Sequence, residues 1–463
     1  MTCREAATAV KYTFMLSLLL VSQRNLNAQN FKLMRFDEDY THLKDSSRTP
    51  YEKIKYFRLS QNGLHYLSFG GEIRQEVDNS HNEDWGRFGA GAQTYVLQRY
   101  QLHTDIHFGT RSRLFVQLRS GLEDGRKMGP RPIDEDRLNV QNLFLDIIPY
   151  KDSANTLTVR LGRQELQYGS GRILDVRDGP NLRLYFDGAK IAFASAKLKL
   201  DAFVMASPAV RKGLFDNSAT RKANLWGVYG TQAVGSSTNL DVYYLGISRD
   251  TPFFDEGTAK EIRHTFGARL WRKGKGFTYN FEAGYQSGKF GNGQISAFGV
   301  SSEIGYQFDR LWGKPAFKLR NDIISGDKRR DDGNLQTFNA LYPNGGYFGM
   351  NPQLGPANLV SIHPNFSCNF SPRLSMSLEA LFGWRQSIHD GVYTPGGMLN
   401  LSGAGSDRRY IGTSYITTAS FRFNDFVNLG LGLQYFQTGA FIDESVQNHK
   451  DGFFVGSVLS FRF

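Results

Sequence analysis

The sequence has 463 residues, of which 21% are charged, with a formal net charge of +11 and a mean hydropathy of −0.41. With 49 Gly, 36 Phe and 22 Tyr, this composition excludes a helical membrane protein and is untypical of a soluble α/β enzyme. Length alone suggests two or three domains. Glycines, aromatic residues and turn signals are nevertheless spread evenly, without a Pro/Ser-rich linker, which favours one architecture.

The first 28 residues have the pattern of a secretory signal peptide. Arg4 and Lys11 form its positive start, residues 12–22 its apolar run, and residues 26–28 (Leu-Asn-Ala) its cleavage site. The run is shorter than the about 20 apolar residues of a membrane helix, and no later stretch reaches even that length. Cleavage removes three basic residues and one acidic residue, so the formal charge falls from +11 to +9. A basic exported chain favours an anionic partner other than nucleic acid.

The exported chain is expected to have no internal disulfide, because Cys3 leaves with the signal and Cys368 then stands alone. Residues 29–66 are charged and lack clean alternation. We interpret them as a periplasmic N-terminal segment that plugs a lumen or contacts a partner. A partly ordered tail is the alternative.

From residue 67 to 463 the sequence alternates between apolar and polar residues, which is typical of strands with one apolar and one wet face. One example is residues 99–108, where Tyr100, Leu102, Ile106 and Phe108 alternate with Arg99, Gln101, His103, Asp105 and His107. Such segments number 18: 67–77, 92–109, 111–121, 138–148, 156–166, 185–194, 196–206, 223–233, 238–247, 262–272, 277–288, 297–308, 316–325, 357–370, 373–386, 408–423, 426–438 and 451–463.

These segments predict an all-β fold, a transmembrane antiparallel up-and-down β-barrel. The strand number is even, and short turns near residues 110, 195, 235, 274, 371 and 424 alternate with connections that are mostly longer, up to 326–356. Short turns would be periplasmic and long loops extracellular. The chain also ends on an aromatic residue of the apolar face, Phe463. A soluble propeller is the alternative, but no four-stranded blade period is present.

The charged face of each strand must point into the bore, because Arg or Lys facing lipid costs about 2–4 kcal/mol at the bilayer midplane. By this alternation the predicted bore residues are Arg99, Arg111, Arg113, Arg119, Arg160, Lys197, Lys199, Arg263, Arg269, Lys318, Arg320 and Arg385. One stretch does not fit. In a regular strand, Arg163 and Glu165 would lie on the same outward face as Leu157, Val159 and Leu161. Either a bulge near Gly162 changes the register, or the strand has left the membrane there, which we favour.

Several motifs resemble the alginate-export family of outer-membrane proteins. The most specific is residues 157–191, with its Arg-Gln-Glu, Tyr-Gly-Ser-Gly-Arg, Gly-Pro-Asn and Phe-Asp-Gly. Others are LQRYQLHTDIHF, TFNALYPNGGYFG and WRQSIHDGVYTPGG. The resemblance extends from about Gly70 to Phe463. One departure is Leu184-Tyr185, where relatives often carry Arg-Ser.

The resemblance implies an 18-stranded outer-membrane barrel whose arginine-rich lumen passes an anionic polysaccharide outward. Its motif implies a role on that path for Arg160, Arg163, Glu165, Arg172, Arg177, Arg183 and Asp187. Arginine suits such a path, because guanidinium keeps its charge and binds carboxylates bidentately. Acidic residues between the arginines would hold their side chains and temper the field. No cofactor is implied.

Three other functions were weighed. His103, Asp105 and His107 share a strand face, but no further ligand cluster supports a metal site. Glu165 and Asp187 would be a glycosidase pair only at a suitable separation, and an outer-membrane hydrolase is the enzyme alternative. A passive anion-selective porin for small solutes or oligosaccharide uptake is the closer rival. The position of loop 326–356 distinguishes this porin from a polysaccharide channel. A loop folded into the lumen can gate a polymer, whereas an external loop favours a simple porin.

Overall fold

The computed structural model describes residues 31–45, 49–89 and 91–463, so the predicted signal peptide lies outside the described residues. Eighteen long antiparallel strands form one sheet. In chain order they are β1 His65–His81, β2 Ala92–Phe108, β3 Ser112–Asp124, β4 Asp136–Lys151, β5 Thr156–Gln164, β6 Phe186–Ala194, β7 Leu198–Ala209, β8 Ser218–Ala233, β9 Thr238–Arg249, β10 Glu261–Arg272, β11 Phe277–Phe290, β12 Gly293–Gln307, β13 Ala316–Ile324, β14 Leu359–Asn369, β15 Leu374–Arg385, β16 Tyr410–Arg422, β17 Val427–Thr438 and β18 Gly452–Arg462.

The sheet is a closed up-and-down barrel. Each strand pairs with its neighbours in sequence, and β1 pairs with β18 from Glu72↔Arg462 to His81↔Phe453. Closure satisfies the backbone groups that an open sheet would expose to lipid. The predicted fold class and number of strands are confirmed.

The two ends of the barrel differ, as the spacing of turn signals predicts. At the short-turn end the connections are residues 109–111, 152–155, 195–197, 234–237, 273–276, 308–315, 370–373 and 423–426. At the long-loop end they reach 21 residues at 165–185 and 34 at 325–358, with one exception, the two-residue turn 291–292 between β11 and β12.

Alternation along the strands separates an apolar outer face from a polar inner face. In β2 the outward Leu102 is 55% exposed, whereas the inward Arg99 is fully buried. Val204 on β7 and Phe317 on β13 are likewise exposed apolar residues of the outer face. The hydrophobic clusters lie inside the bore, where residues of the long connections pack against the inner wall.

Elements outside the barrel wall are short. The α-helices are α1 Pro50–Lys55 and α2 Ala440–Ser445, and the 3₁₀ turns are Arg35–Asp37, Thr41–Leu43, Glu83–Gly86, Gly345–Phe348 and Gly403–Gly405. Two-stranded ribbons join Phe253–Phe254 to Gly257–Thr258 and Val392–Tyr393 to Leu399–Leu401, and Phe57–Arg58 pairs with β1. None of the helices in the described part of the chain has the length and apolar character needed to cross a membrane.

Candidate functional site: the inner wall and its plugging segments

The connection between β5 and β6, residues 165–185, folds into the bore and is called inner loop A. On one side Asp178 binds Arg99 of β2 at 2.8 Å, and on the other side Arg172 lies 3.5 Å from Glu282 of β11. Strands β2 and β11 are nine positions apart in an 18-stranded barrel, so inner loop A reaches from one wall to the opposite one. Sequence analysis expected the chain to leave the membrane where this stretch begins, without placing the stretch inside the bore. Instead it crosses the lumen, because Leu166, Leu174 and Val176 bury their apolar side chains there.

Residues 325–358, called inner loop B, also fold inward. Tyr347 donates a hydrogen bond to Asp322 of β13 at 2.9 Å, and Asn351 N–H donates to Gln434 of β17 at 3.1 Å. The two inner loops are joined by backbone hydrogen bonds, from Asp175 N–H to Tyr342 O at 2.8 Å and from Tyr342 N–H to Ile173 O at 3.0 Å. Of the two placements considered from sequence, the structure has the inward one.

The N-terminal segment, described for residues 31–45 and 49–64, enters the bore from the short-turn end. Arg35 donates to the backbone oxygens of Gly71 and Phe463 at 2.9 and 3.0 Å. Phe36 packs edge-on against the inward rings of Phe115 and Phe144. The same apolar cluster contains Met34 and, from inner loop A, Val176. The N-terminal segment and inner loop A therefore fill the β1–β6 side of the bore together.

Lys55, at the end of α1, is buried against the inner wall where β1 carries Gly70. A Cβ on Gly70 would lie 2.5 Å from Lys55 Nζ and 2.6 Å from the His103 ring, so only glycine leaves room for the lysine. Among the described residues Nζ has no hydrogen-bond partner, and it lies 4.9 Å from the ring centre of Tyr40. Burial, and then the charge of Arg35, lowers the pKa of Lys55 to about 7. The titratable groups facing it are Arg35, Glu38, Tyr40, Tyr51 and His103.

Most predicted bore arginines are ion-paired. Ten of the thirteen lie within 3.5 Å of a carboxylate oxygen: Arg99, Arg113, Arg119, Arg160, Arg163, Arg172, Arg183, Arg263, Arg269 and Arg320. The predicted acids take part, because Glu165 pairs with Arg183 at 2.9 Å and Asp187 with Arg163 at 2.8 Å. Arg263 and Arg269 are buried as well as paired. Most of the inner wall is thus a network of fixed ion pairs.

Asp178 connects inner loop A to this network. Burial raises its pKa, but Arg99 and Arg183 outweigh that effect and hold the pKa of Asp178 below its ordinary value. Arg74 adds hydrogen bonds to the backbone oxygens of Asp178 and Gly179 at 2.8 and 3.0 Å. Three guanidinium groups therefore hold the tip of inner loop A in place.

In β5, where charged residues follow apolar ones on the same predicted strand face, the change occurs at Gly162. Its φ of +123° lies in a region that other residues rarely adopt, and a Cβ there would meet Leu143 O at 2.3 Å. The pairing of β5 with β4 and β6 keeps its register through Gly162, so no residue is inserted. Arg163 beyond it stacks over the ring of Tyr185 at 4.3 Å, which is fully buried. β5 ends at Gln164.

The three predicted arginines without a carboxylate partner in the described residues differ in their surroundings. Arg111 is exposed at the short-turn end and donates to Pro149 O at 2.9 Å. Arg385 is fully buried and donates to backbone oxygens of residues 386–409, including Asp390 O at 3.0 Å. Arg177 projects from inner loop A and is described next. Of the predicted lysines, Lys197 and Lys199 are exposed near the short-turn end.

Arg177 lies where the two inner loops meet. Its φ is +56°, a left-handed conformation uncommon outside glycine, and the Asp175 carboxylate accepts its backbone N–H at 2.6 Å. The partly exposed side chain donates one hydrogen bond, from Nε to Pro343 O at 3.2 Å, and lies 5.7 Å from the Tyr342 ring centre. Burial lowers the pKa of Arg177, so an anionic ligand would stabilise its charged form.

The other residues weighed from sequence are engaged in local contacts. Asp105 accepts from Arg113 at 2.6 Å and lies 3.1 Å from His107 Nε2. In the described ranges no group of three or more His, Cys, Asp or Glu side chains is arranged to hold a metal ion. Glu165 and Asp187 bind different arginines, as stated above. Cys368 is a free thiol.

Sequence reasoning expected Asp178 to hold arginine side chains, as it does, but missed two other residues that fix the inward segments, Gly70 and Tyr347. A usable signal existed for inner loop B, because Tyr347 and Phe348 are adjacent aromatic residues in a stretch otherwise rich in Gly, Pro and Asn. Gly70 gives no such signal, since its role depends on a lysine from another segment.

Comparisons with known proteins agree with this geometry. A family model described as alginate export matches residues 65–455, and no curated protein matches the sequence. The fold is similar to that of a BenF-like porin from Pseudomonas fluorescens Pf-5 (TM-score 0.58, 14% identity, covering 86% of this chain and 98% of that chain). It is also similar to Acinetobacter baumannii OccAB1 (0.58, 12%, 89% and 100%) and to Pseudomonas aeruginosa OccK2 in complex with glucuronate (0.55, 13%, 86% and 96%).

Proposed function

We propose, from the premise that this chain belongs to the alginate-export family and is a β-barrel channel of the bacterial outer membrane, that its bore passes an anionic polysaccharide or oligosaccharide of the uronate class. The short turns face the periplasm and the long loops face outward, as in outer-membrane barrels generally. The N-terminal segment would then lie at the periplasmic mouth.

The observation that carries this proposal is the guanidinium of Arg177 at the crossing of the inner loops. Within the described part of the chain this guanidinium has no carboxylate partner and donates a single hydrogen bond, to Pro343 O. A uronate carboxylate would offer two acceptor oxygens to its free N–H groups. Tyr342 beside it supplies an aromatic surface for a sugar ring.

The paired arginines support the same function in a different way. Conduction requires that the channel attract the anionic solute without trapping it. An ion-paired wall suits this requirement, because it presents polar groups to the solute at low net charge. Arg99, Arg183 and Arg172 additionally position inner loop A and hence Arg177. The predicted path residues thus divide into those that would contact the solute and those that would position the contacts.

An anion-selective porin for small solutes is the second candidate. Inner loop B folds into the lumen, which is the placement expected of a polymer gate, so the support for this candidate comes from a structure of similar fold. OccK2, which is similar in fold, was solved with glucuronate bound. We propose no enzymatic activity, since the family and the similar structures are channels, and we propose that periplasmic export or uptake machinery supplies or receives the solute.

Planar-bilayer recordings of the purified protein test the proposal. We expect a permeability for chloride above that for potassium, and a current block by tetragalacturonate that exceeds the block by uncharged maltotetraose. Cation selectivity, or equal block by both tetrasaccharides, would contradict an anionic substrate. Block by glucuronate but no effect of polygalacturonate would favour the small-solute porin.

A further inference from the structure

As far as the described residues show, the periplasmic mouth is filled on one side and contains a cavity on the other. The N-terminal segment occupies the β1–β6 side, as described above. Across the bore, on the inner face of β10–β13, lies a cavity of about 290 Å³ beside the short turn 273–276. Pockets for drug-sized ligands begin at roughly 300 Å³, so this cavity has the size for about one sugar residue.

The walls of this cavity combine an indole with cations. Trp271 is half-buried, and its Nε1 donates to Asp241 at 2.9 Å, which fixes the ring. Lys273 Nζ lies 5.4 Å from the centre of that ring, and Lys318 of β13 lines the opposite side. Arg269 also lines the cavity, but Asp241 neutralises it at 2.8 Å.

The cavity contains positive charges without compensation. Lys273 and Lys318 have no carboxylate partner among the residues that the structure describes, and the one acid lining the cavity, Glu303, is paired with Arg320 at 2.9 Å. Arg272 lines the same cavity, and its buried Nε has no hydrogen-bond partner among those residues either. The site therefore has the electrostatics to bind an anion and an aromatic surface for an apolar sugar face.

We propose that Trp271, Lys273 and Lys318 form a binding site for a single uronate residue at the periplasmic mouth. The carboxylate binds between the two ammonium groups, and the sugar ring packs on the indole. Arg320 is the next inward residue after Lys318 on β13, about 7 Å further along the strand, and it stacks on Tyr347 of inner loop B. The site thus lies at the start of a track that leads to the inner loops. This inference rests on the proposed function.

The test is calorimetric titration of the full barrel in detergent micelles with tetragalacturonate, using maltotetraose as the uncharged probe. The double variant Lys273→Gln/Lys318→Gln should bind tetragalacturonate about tenfold more weakly, because each ammonium–carboxylate contact in a wet site contributes a few-fold. Trp271→Leu should lower the affinity about fivefold, the order of an aromatic contact. Lys275→Gln, in the same turn but outside the cavity lining, is the matched control and should bind like the wild type.

Each outcome separates this inference from the one it rests on. Wild-type affinity in both the double variant and the Trp271 variant, or an equal loss in the Lys275 control, would overturn the mouth site and leave the proposed function standing. No binding of tetragalacturonate by the wild type would overturn both. Retention of the heat-modifiable mobility of a folded barrel excludes unfolding as the cause of a loss.

Discussion

Replacing Arg177 by Gln tests the assignment of the solute contact. The substitution removes one positive charge from the crossing of the inner loops and a single hydrogen bond to Pro343 O. For an anion passing about 6 Å away in a wet bore of effective dielectric constant about 40, Coulomb's law gives about 1.4 kcal/mol, or about a tenfold change in local anion occupancy. The chloride-to-potassium permeability ratio should fall by up to that factor.

The measurement is the reversal potential of single channels under a potassium chloride gradient. It should be made near 10 mM salt, where the Debye length is about 30 Å and charges are weakly screened. Arg111→Gln is the matched control, because it removes an exposed arginine that also has no carboxylate partner in the described residues but lies at the short-turn end. Arg177→Lys should retain most of the selectivity. A ratio in Arg177→Gln that changes no more than in Arg111→Gln would refute the reasoning.

Three further predictions concern the N-terminal segment and the inner wall of the barrel. Gly70→Ala should unseat the N-terminal segment and raise single-channel conductance, because its Cβ would lie 2.5 Å from Lys55 Nζ, whereas Gly284→Ala, with its nearest atom at 3.7 Å, should conduct like the wild type. The pKa of Lys55 is about 7 when the N-terminal segment is bound in the bore and about 10.4 when the segment is released. Binding of the segment should therefore be strongest above about pH 10.4, weaken about tenfold for each pH unit between there and about pH 7, and stay constant at lower pH. Open probability should rise correspondingly on acidification and become independent of pH in Lys55→Met; an unchanged pH profile in that variant would contradict the assignment. Arg119→Met should cost about 3–5 kcal/mol, because it leaves the buried Asp136 without its ion pair, and a melting temperature by heat-modifiable gel mobility equal to that of the wild type would count against it.

The barrel itself could be predicted because its signal is local. A strand with lipid on one side and water on the other alternates with period two wherever it occurs, so Leu102 and Arg99 reveal their faces within a few residues of sequence. Gly162 shows the limit of that reasoning. Its positive φ is not accompanied by an inserted residue, so the bulge considered from sequence is absent there, and β5 ends two residues later at Gln164.

The contacts that hold the inward segments could not be predicted because the partners are distant in sequence. Asp178 contacts Arg99, and Arg172 contacts Glu282, across separations of 79 and 110 residues. No periodicity encodes such contacts. Tyr185 is a similar case, because the family resemblance marked Leu184-Tyr185 as a departure, and only the structure places its ring between Arg119 and Arg163.

Ion pairing changes which cations can act on a solute. The charge of a guanidinium that is paired with a carboxylate at 2.5–2.9 Å is nearly cancelled at a distance. The number of arginines on the wall therefore overstates the electrostatic attraction on an anion. Among the cations of the described residues that have no carboxylate partner, Lys273 and Lys318 lie at the mouth and Arg177 lies at the loop crossing, so these three occupy two levels. Two weak sites in series attract a polyanion without trapping it, because a sugar residue that leaves one site can bind at the next. If selectivity instead came from the total arginine charge, neutralising Arg177 would matter no more than neutralising any exposed arginine, which is what the comparison with Arg111 decides.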